Sequence, residues 1–548
     1  MANIDYFYKE VNKSNYYIGL ISQVNRNFST IQIENLSLFS YRKLRNDILI
    51  PNTINYYVLI DSSLGLFFGE IFQTKIQNTD GVHEMLSLGK HEKVYPEISI
   101  DILGFIPLGE KYFKLNGTNT VGIADKVYIA NKEVIDLFIK SIEVHPDEEM
   151  ALSSFAELAF NSQNYPISLQ PKTMFDRHLM AVGTTNSGKS TSALSILDTL
   201  IKDNIRTLIV DPTGEYRDSF TDEEVSKCIL GVDTFLPISQ ISMNQWSILF
   251  ETNDATQPAV LSDAIQSLRY QYKNNNNMVY KKAGQLVTKV EKDFSELEEN
   301  DKEFNLNLLS AQIAVETTQK NKKGQYELTA FNYNSNQYLI QKVNYKLSNS
   351  SLTDFFKADE KADEKSLIEV IDDFTTGKVK TSLYIDASRI GVTDGIGGMI
   401  LDFISNHLVN FNKGKIVPFV MFVDEVHRYT KSINNDGFTF YTGINSIARE
   451  GRKKGVFLFL TTQNPSDVDK VLFGQIGTLL IHRLTSPDEL KAVQNHLSDS
   501  QLNQVKRLNT GEAILTSINL LKDLYIKLKK CDRTHHNSTP SLLGHVNR

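Results

Sequence analysis

The feature that most constrains this chain is an eight-residue loop, Gly183-Thr184-Thr185-Asn186-Ser187-Gly188-Lys189-Ser190, set between the apolar run LMAV (179–182) and the helical stretch STSALSILDTLI. It fits GxxxxGK[ST] in the strand-loop-helix setting that the chemistry requires. Its glycines let the backbone curl until its N–H groups surround phosphate oxygens at a helix N-terminus. Lys189 is then placed for the β and γ phosphates of ATP, with Thr191 also at the nucleotide, and Ser190 for Mg2+. A chain built on this loop needs a parallel sheet whose ligand edge lies at the carboxyl ends of the strands.

The sequence from about residue 165 supplies that sheet. Apolar runs of four to eight residues alternate with helical stretches, as parallel strands buried on both faces do. The expected strands are LMAV (179–182), TLIV (207–210), TSLYI (381–385), PFVMFV (418–423), VFLFLTT (456–462) and TLLIHRL (478–484). PFVMFV ends in Asp424-Glu425, where Asp424 is suited to the Mg2+ shell and Glu425 to polarising the water that attacks the γ phosphate. VFLFLTT is followed by Gln463, at the strand end where RecA-like ATPases sense the γ phosphate; the plainer reading is an ordinary strand-end glutamine.

Upstream of that strand, AREGRKKG offers Arg449 and Arg452, either of which is suited to offsetting the charge on a transferring phosphoryl group, frequently from a neighbouring subunit. A solvated basic helix end is the competing reading. Arg177, in FDRHL, and Asp211 with Glu215, in DPTGEY, are placed by the sequence at the active edge of the sheet, with phosphate or metal contact expected and structural capping or loop pairing as the alternative. His427 in DEVHRY reads as a local hydrogen-bonding residue.

With 548 residues the chain exceeds one hydrophobic core. Residues 1–150 carry short β-rich runs such as YYIGLIS and NYYVLIDS, separated by turn residues, and read as a small antiparallel barrel or sandwich. The α/β core is expected over 165–250 and 376–530, interrupted by a polar, mainly helical insertion (251–375) whose expected character is a solvated surface. The tail, 531–548, reads as extended or weakly ordered. Two cysteines, Cys228 and Cys531, without CxxC spacing fit neither a disulfide framework nor a zinc site and suit a reducing cytoplasm. No apolar stretch reaches the roughly 20 residues a membrane span needs. A net charge of −7 argues against nonspecific wrapping of nucleic acid but leaves room for a local basic channel, for which Arg428 and Lys431 in HRYTKSINNDGFTFYTG are the candidates.

Taken in order, FDRHLMAVGTTNSGKST, LIVDPTGEY, FVMFVDEVHRY, IAREGRKKGVFLFLTTQNPSDV and LNTGEAIL resemble the HerA family of the HerA/FtsK ATPases over about residues 165 to 525. The resemblance implies a RecA-like core behind an N-terminal β-barrel, and a homohexameric ring that threads double-stranded DNA with ATP between subunits. It implies that Arg177 and one of Arg449 or Arg452 act as arginine fingers or phosphate sensors, and that a separate nuclease or sirtuin-like effector works with the ring, as in antiphage defence. An ATP-gated scaffold without DNA movement is the alternative of a different class; a secretion or conjugation motor is another, disfavoured by the missing membrane segment.

Overall fold

The computed structural model describes residues 4–535 apart from 27, 45–47, 50–52, 55, 77–78, 146–148, 161–162, 254–255, 357–364, 391–393, 431–433, 436–437 and 440–442. The chain divides into two compact units, 1–174 with 513–528, and 175–512 with 529–548.

The first unit is built on a closed six-stranded barrel of β1 (Tyr17–Val24), β2 (Ser29–Ile33), β3 (Tyr56–Ser62), β4 (Gly65–Lys75), β5 (Glu97–Pro107) and β6 (Lys126–Ile129). Its order is β1-β2-β5-β4-β3-β6, every pair is antiparallel, and β6 returns to β1. Closure removes the free edges that an open sheet of such apolar strands would present. Successive side chains leave a strand on opposite faces, and β4 uses both. Phe67 stacks on Phe105 with ring centroids 4.4 Å apart, while Phe68 stacks at 4.1 Å on Phe138 of the helix Lys132–Lys140. The unit extends past the expected 1–150. It takes in a hairpin, Ala156–Phe160 with Gln163–Ile167, and the strand Leu524–Leu528 paired antiparallel to it. Lys522, in this added segment, is buried with its ammonium 2.5 Å from Glu70 of the barrel and 5.2 Å from the Tyr57 ring centroid.

Among the described residues, the main sheet of the second unit has seven parallel strands: β7 (Leu179–Val182), β8 (Thr207–Asp211), β9 (Val225–Ile229), β10 (Ser382–Asp386), β11 (Phe419–Val423), β12 (Val456–Thr462) and β13 (Thr478–Ile481). Their order is β13-β7-β12-β11-β8-β10-β9. The expected RecA-like α/β core is present, with each predicted strand within a few residues of its place. β12 lies between the phosphate-loop strand β7 and the acidic strand β11, with Val182 opposite Thr462 and Val423 opposite Leu460. This register brings Gly183, Asp424 and Gln463 to one edge. Helix α1 (Lys189–Lys202) follows the loop; α2 (Asp394–Val409) packs against α3 (Gly443–Lys454), which leads into β12.

The insertion differs from the solvated surface expected of it. Its helices, among them Gln257–Lys273, Leu309–Val315 and Ala330–Leu347, enclose a core of Leu261, Ile265, Leu268, Ile313, Leu339 and Val343, each at most 1% exposed. The spacing Leu261, Ala264, Ile265, Leu268 is one apolar helix face hidden in a polar composition. A Lys282–Glu316 pair at 2.6 Å is buried inside, its carboxylate also accepting from Gln312 Nε2 at 2.7 Å. Among the described residues no helix is long and apolar enough to cross a membrane.

Candidate functional site

The loop between β7 and α1 has the backbone of an anion cradle. Asn186 and Gly188 take positive φ values of 63° and 97°, and Ser187 N–H donates to Thr184 O at 3.1 Å. A Cβ on Gly183 would stand 2.5 Å from Ser187 Oγ and 2.7 Å from His482 Cβ, and one on Gly188 would stand 2.5 Å from Gly511 N. Only glycine fits at either place. The far side of the cradle is held by Thr184 N–H donating to Arg483 O (3.1 Å), Gly511 N–H to Ser187 O (3.0 Å) and Thr510 Oγ1 to Asn186 O (3.2 Å). Ser187 Oγ is buried with no hydrogen-bond partner among the described residues, in a loop otherwise closely braced. Such an orphaned hydroxyl, in a loop that leads into a helix N-terminus at Lys189, fits a phosphate-bearing ligand. Thr185 and Thr191 stand exposed at the loop and the first turn of α1, and Ser190 is half-buried.

Opposite the loop, the acidic pair forms one network with Lys189 and Gln463. Lys189 is buried; its ammonium donates to Glu425 Oε1 and lies 3.9 Å from Asp424 Oδ1. Gln463 donates to both oxygens of Glu425, from its N–H at 3.0 Å and its Nε2 at 2.7 Å, and accepts from Thr185 Oγ1 at 2.9 Å. Glu425 stands in the left-handed region (φ 48°), its N–H shared between Asp424 Oδ1 and Thr461 Oγ1, both at 3.1 Å. A non-glycine residue there costs on the order of 1 kcal/mol, a strain that hydrogen bonds on all sides sustain. Thr461 Oγ1 and, at 3.2 Å, the Tyr216 hydroxyl donate to Asp424. His427 Nδ1 lies within hydrogen-bonding distance of Thr462 Oγ1 (3.1 Å) and 3.3 Å from Glu425 Oε2, the local hydrogen-bonding role expected of it. The hard oxygens suited to a divalent cation are Ser190 Oγ and the Asp424 carboxylate. Among the described residues no cluster of three or more His, Cys, Asp or Glu forms a metal cage, so phosphate oxygens would have to complete a Mg2+ shell.

Two of the expected ligand contacts are corrected. Asp211 is 1% exposed and its carboxylate is fully engaged within the protein: Oδ1 accepts from Thr213 N and Oγ1 and Gly214 N at 2.8–3.0 Å, Oδ2 from Tyr216 N and the Tyr384 hydroxyl at 2.9 Å. It is the organiser of the DPTGEY turn and has no lone pair to spare for nucleotide. Arg177 is not at the active edge. It precedes β7 at the opposite end of the sheet from the loop, about 13 Å of strand away at ~3.3 Å per residue, with its carbonyl accepting from Gly477 N at 2.6 Å.

Glu215 does reach the acidic pair. Burial first, then the charges of Asp424, Asp211 and Glu425, raise its pKa from 4.5 to about 7. The tail also differs from the weakly ordered segment expected of it: at 531–535 it is docked. Arg533 donates to Asp198 of α1 at 2.6 Å and to both Glu224 oxygens at 2.9 and 2.7 Å, and the His535 ring lies 5.0 Å from that of Tyr216. Residues 536–548 lie outside the described residues. Because the folded pKa of Glu215 is raised, the stability it contributes is complete below pH 4.5 and lost as pH rises through 7. Glu215→Gln should therefore leave the melting temperature of nucleotide-free protein unchanged near pH 4.5 and raise it by about 2 °C at pH 8, solvent access having reduced the full effect. Paired thermal melts across that range check it.

Arg449 and Arg452 lie on α3, before β12, and share the far edge with Arg177. Arg452 Nε is 3.1 Å from Asp176 Oδ1, and Arg449 is exposed. Gly455 and the seven residues of β12 separate the end of this helix from Gln463, roughly 23 Å of strand. The backbone of all three arginines thus lies toward the end of the sheet opposite their own chain's phosphate loop. Arg428 is half-buried, its guanidinium 5.8 Å from the Tyr429 ring; Lys431, its expected companion, lies outside the described residues.

Two family models match this chain: the central domain of the helicase HerA over residues 156–373, and the HerA-like helicase C-terminal domain over 410–521. The chain belongs to the HerA family. The DNA double-strand break repair helicase HerA of Sulfolobus acidocaldarius is 23% identical over 377 residues, covering 67% of each chain. A probable helicase of Methanocaldococcus jannaschii is 22% identical over 375 residues, 68% of this chain and 66% of that one. Among solved structures, VirB4 of Thermoanaerobacter pseudethanolicus aligns over 71% of this chain and 98% of its own at 14% identity and a TM-score of 0.45. This HerA-family protein is a P-loop ATPase.

Several residues of the HerA site escaped the sequence reading. Tyr216 and Thr461 hold Asp424; His482, fully buried with its pKa lowered to about 4 by burial, donates from Nδ1 to Glu512 O (2.9 Å) directly behind Gly183. LNTGEA was visible as a motif, but that its Thr510-Gly511 pair backs the phosphate loop appears only in three dimensions.

Proposed function

We propose that this HerA-family ATPase hydrolyses ATP with Mg2+ in a homohexameric ring, at sites shared between neighbouring subunits, and uses the energy to translocate along or unwind double-stranded DNA. One observation carries the reading. Lys189, Asp424, Glu425 and Gln463 converge at the front edge of the sheet, whereas Arg177, Arg449 and Arg452 stand at the rear edge of the same sheet. Charge stabilisation by these arginines requires a second subunit whose rear edge faces the first one's front, a heterologous contact that closes into a ring. The name of the Sulfolobus acidocaldarius relative, a DNA double-strand break repair helicase, supplies the substrate.

In this reading the backbone of 183–188 and the Lys189 ammonium bind the phosphates, while Ser190 and Asp424 hold Mg2+. When bound, that ion neutralises charge on the phosphate oxygens. Glu425 is held by Lys189 in the network described above; once the ammonium turns to phosphate, its carboxylate is available to take a proton from water, with Gln463 still gripping it. The Tyr216 and Thr461 hydroxyls keep Asp424 oriented. A separate nuclease or sirtuin-like effector, with a role in antiphage defence, is the partner the family resemblance implies, and copurification of native complexes tests it.

The function is tested by ATP turnover of the purified protein with and without linear duplex DNA at low and moderate salt, together with its mass in solution. Stimulation by DNA that weakens as salt rises, in a particle of six chains, is the expected result. Turnover indifferent to DNA at every salt would replace the translocase with an ATP-gated scaffold.

A further inference from the structure

The three rear-edge arginines belong to two separate segments, and one buried side chain joins them. His178 follows Arg177, is 2% exposed and adopts φ 59°, a left-handed conformation that turns its ring back into the sheet. There Nε2 meets the carbonyl of Ala448, the residue before Arg449, at 3.0 Å, and Nδ1 accepts the N–H of Leu458 in β12, also at 3.0 Å. The two bonds demand one neutral tautomer, with the proton on Nε2. Burial, the leading influence, lowers the pKa of this ring to about 4, so the tautomer holds across the physiological range. The main chain of His178 is fixed as well: its N–H donates to Phe175 O at 2.9 Å and its carbonyl accepts from Thr478 N in β13 at 3.2 Å. On either side, Asp176 pairs with Arg452 and Arg177 O accepts from Gly477 N. A Cβ on Gly477 would stand 2.5 Å from Arg177 Cβ, so the tripeptide Asp176–His178 sits against β13 with no room to shift.

Leu458 N–H is a ladder donor at the start of a central strand, and a backbone carbonyl would ordinarily receive it. The imidazole takes that place. One ring therefore ties together the tripeptide that carries Arg177, the helix that carries Arg449 and Arg452, and the strand whose far end carries Gln463.

We propose that His178 is a positioning residue for ATP hydrolysis at the neighbouring subunit's site: it locks Arg177, Arg449 and Arg452 into one rigid edge in register with the strand that ends at Gln463. The proposal rests on the shared-site reading above. It places the effect of His178 on the site its subunit serves, not on the site its own phosphate loop forms.

The experiment uses His178→Asn, because asparagine tolerates positive φ better than other non-glycine residues while its short side chain cannot span from Ala448 O to Leu458 N. ATP turnover is measured for this variant alone, and after co-expression and isolation of mixed assemblies with Lys189→Ala, whose own loop is disabled but whose arginines are intact. An Arg177→Ala/Arg449→Ala/Arg452→Ala variant mixed with Lys189→Ala is the reference pair. Expected are a kcat about 10- to 100-fold lower for His178→Asn at an unchanged KM for ATP, as for a misplaced catalytic group, and recovery of turnover in its mixed assembly to the level of the reference pair. A merely misfolded His178→Asn subunit would bring no working phosphate loop and would not recover. Recovery of the reference pair without recovery of the His178→Asn pair, an unchanged kcat, or a change in KM alone overturns the proposal. If neither pair recovers, the shared-site reading fails and the proposal falls with it.

Discussion

Glu425→Gln is expected to lower kcat for ATP by about 10²–10⁴-fold, the contribution of a positioned general base, while leaving nucleotide affinity within a few-fold of wild type. The amide keeps the size of the carboxylate, and its oxygen in the place of Oε1 still accepts from Lys189 and from Gln463 Nε2, so most of the network around the phosphate loop survives. The amide cannot accept a proton from water. Its NH2 then faces the backbone N–H of Gln463 in the place of Oε2, and that one bond of the network is lost. Because Lys189 no longer faces a full negative charge at 425, its ammonium is released to phosphate more readily, and the direction expected for affinity is upward. Pre-steady-state turnover with a fluorescent nucleotide separates the two effects. A variant with normal kcat and weakened binding would show that Glu425 restrains Lys189 and does no proton transfer.

Much of this site was legible because its chemistry is local. GTTNSGKS carries its own strand and helix, and the order of apolar runs located β7, β8, β10, β11, β12 and β13 to within a few residues. LMAV and VFLFLTT coincide with β7 and β12; TLLIHRL was read too long because His482 leaves the strand at Ile481 to back the phosphate loop. β9 was missed because an edge strand is only half-buried: Ser226 and Lys227 interrupt its apolar pattern. The expected bounds place the final strand of the first unit in the ATPase core and leave 151–164, most of the hairpin, in neither domain, because their assignment depends on pairing between residues some 370 positions apart, such as Leu158 with Ile526, which no local pattern records.

The errors at the site have a common cause, the equation of sequence adjacency with spatial adjacency. Arg177 stands six residues before Gly183, yet a strand traversed end to end carries the chain from one edge of the sheet to the other. Asp211 ends a strand at the ligand edge, as Asp424 nearly does, but the residues that follow decide its role. Thr213 and Gly214 turn back onto its carboxylate, an Asx-turn written in the sequence as Asp-Pro-Thr-Gly. Glu215, one residue beyond that turn, is the carboxylate that faces the acidic pair.

The rear-edge arginines should divide unequally in effect. Arg449→Ala is expected to reduce kcat by roughly 10³-fold, the lower end of what an arginine supplied to a transferring phosphoryl group contributes, with KM for ATP little changed because the variant's own loop is intact. Arg452→Ala should be at least tenfold milder, since part of its charge is already balanced by Asp176 at 3.1 Å and its geometry is that of a brace between α3 and the Asp176–His178 tripeptide. Lysine at 449 should recover little, because a point charge on a flexible stem cannot reproduce the planar fork that meets phosphoryl oxygens in pairs. Single-turnover hydrolysis at saturating ATP and fixed protein concentration reads all three variants without interference from product release. Should Arg452→Ala prove the more damaging, the roles exchange: Asp176 would then be the residue that holds a finger back until the neighbouring site is charged, and Asp176→Asn would raise basal turnover instead of leaving it unchanged.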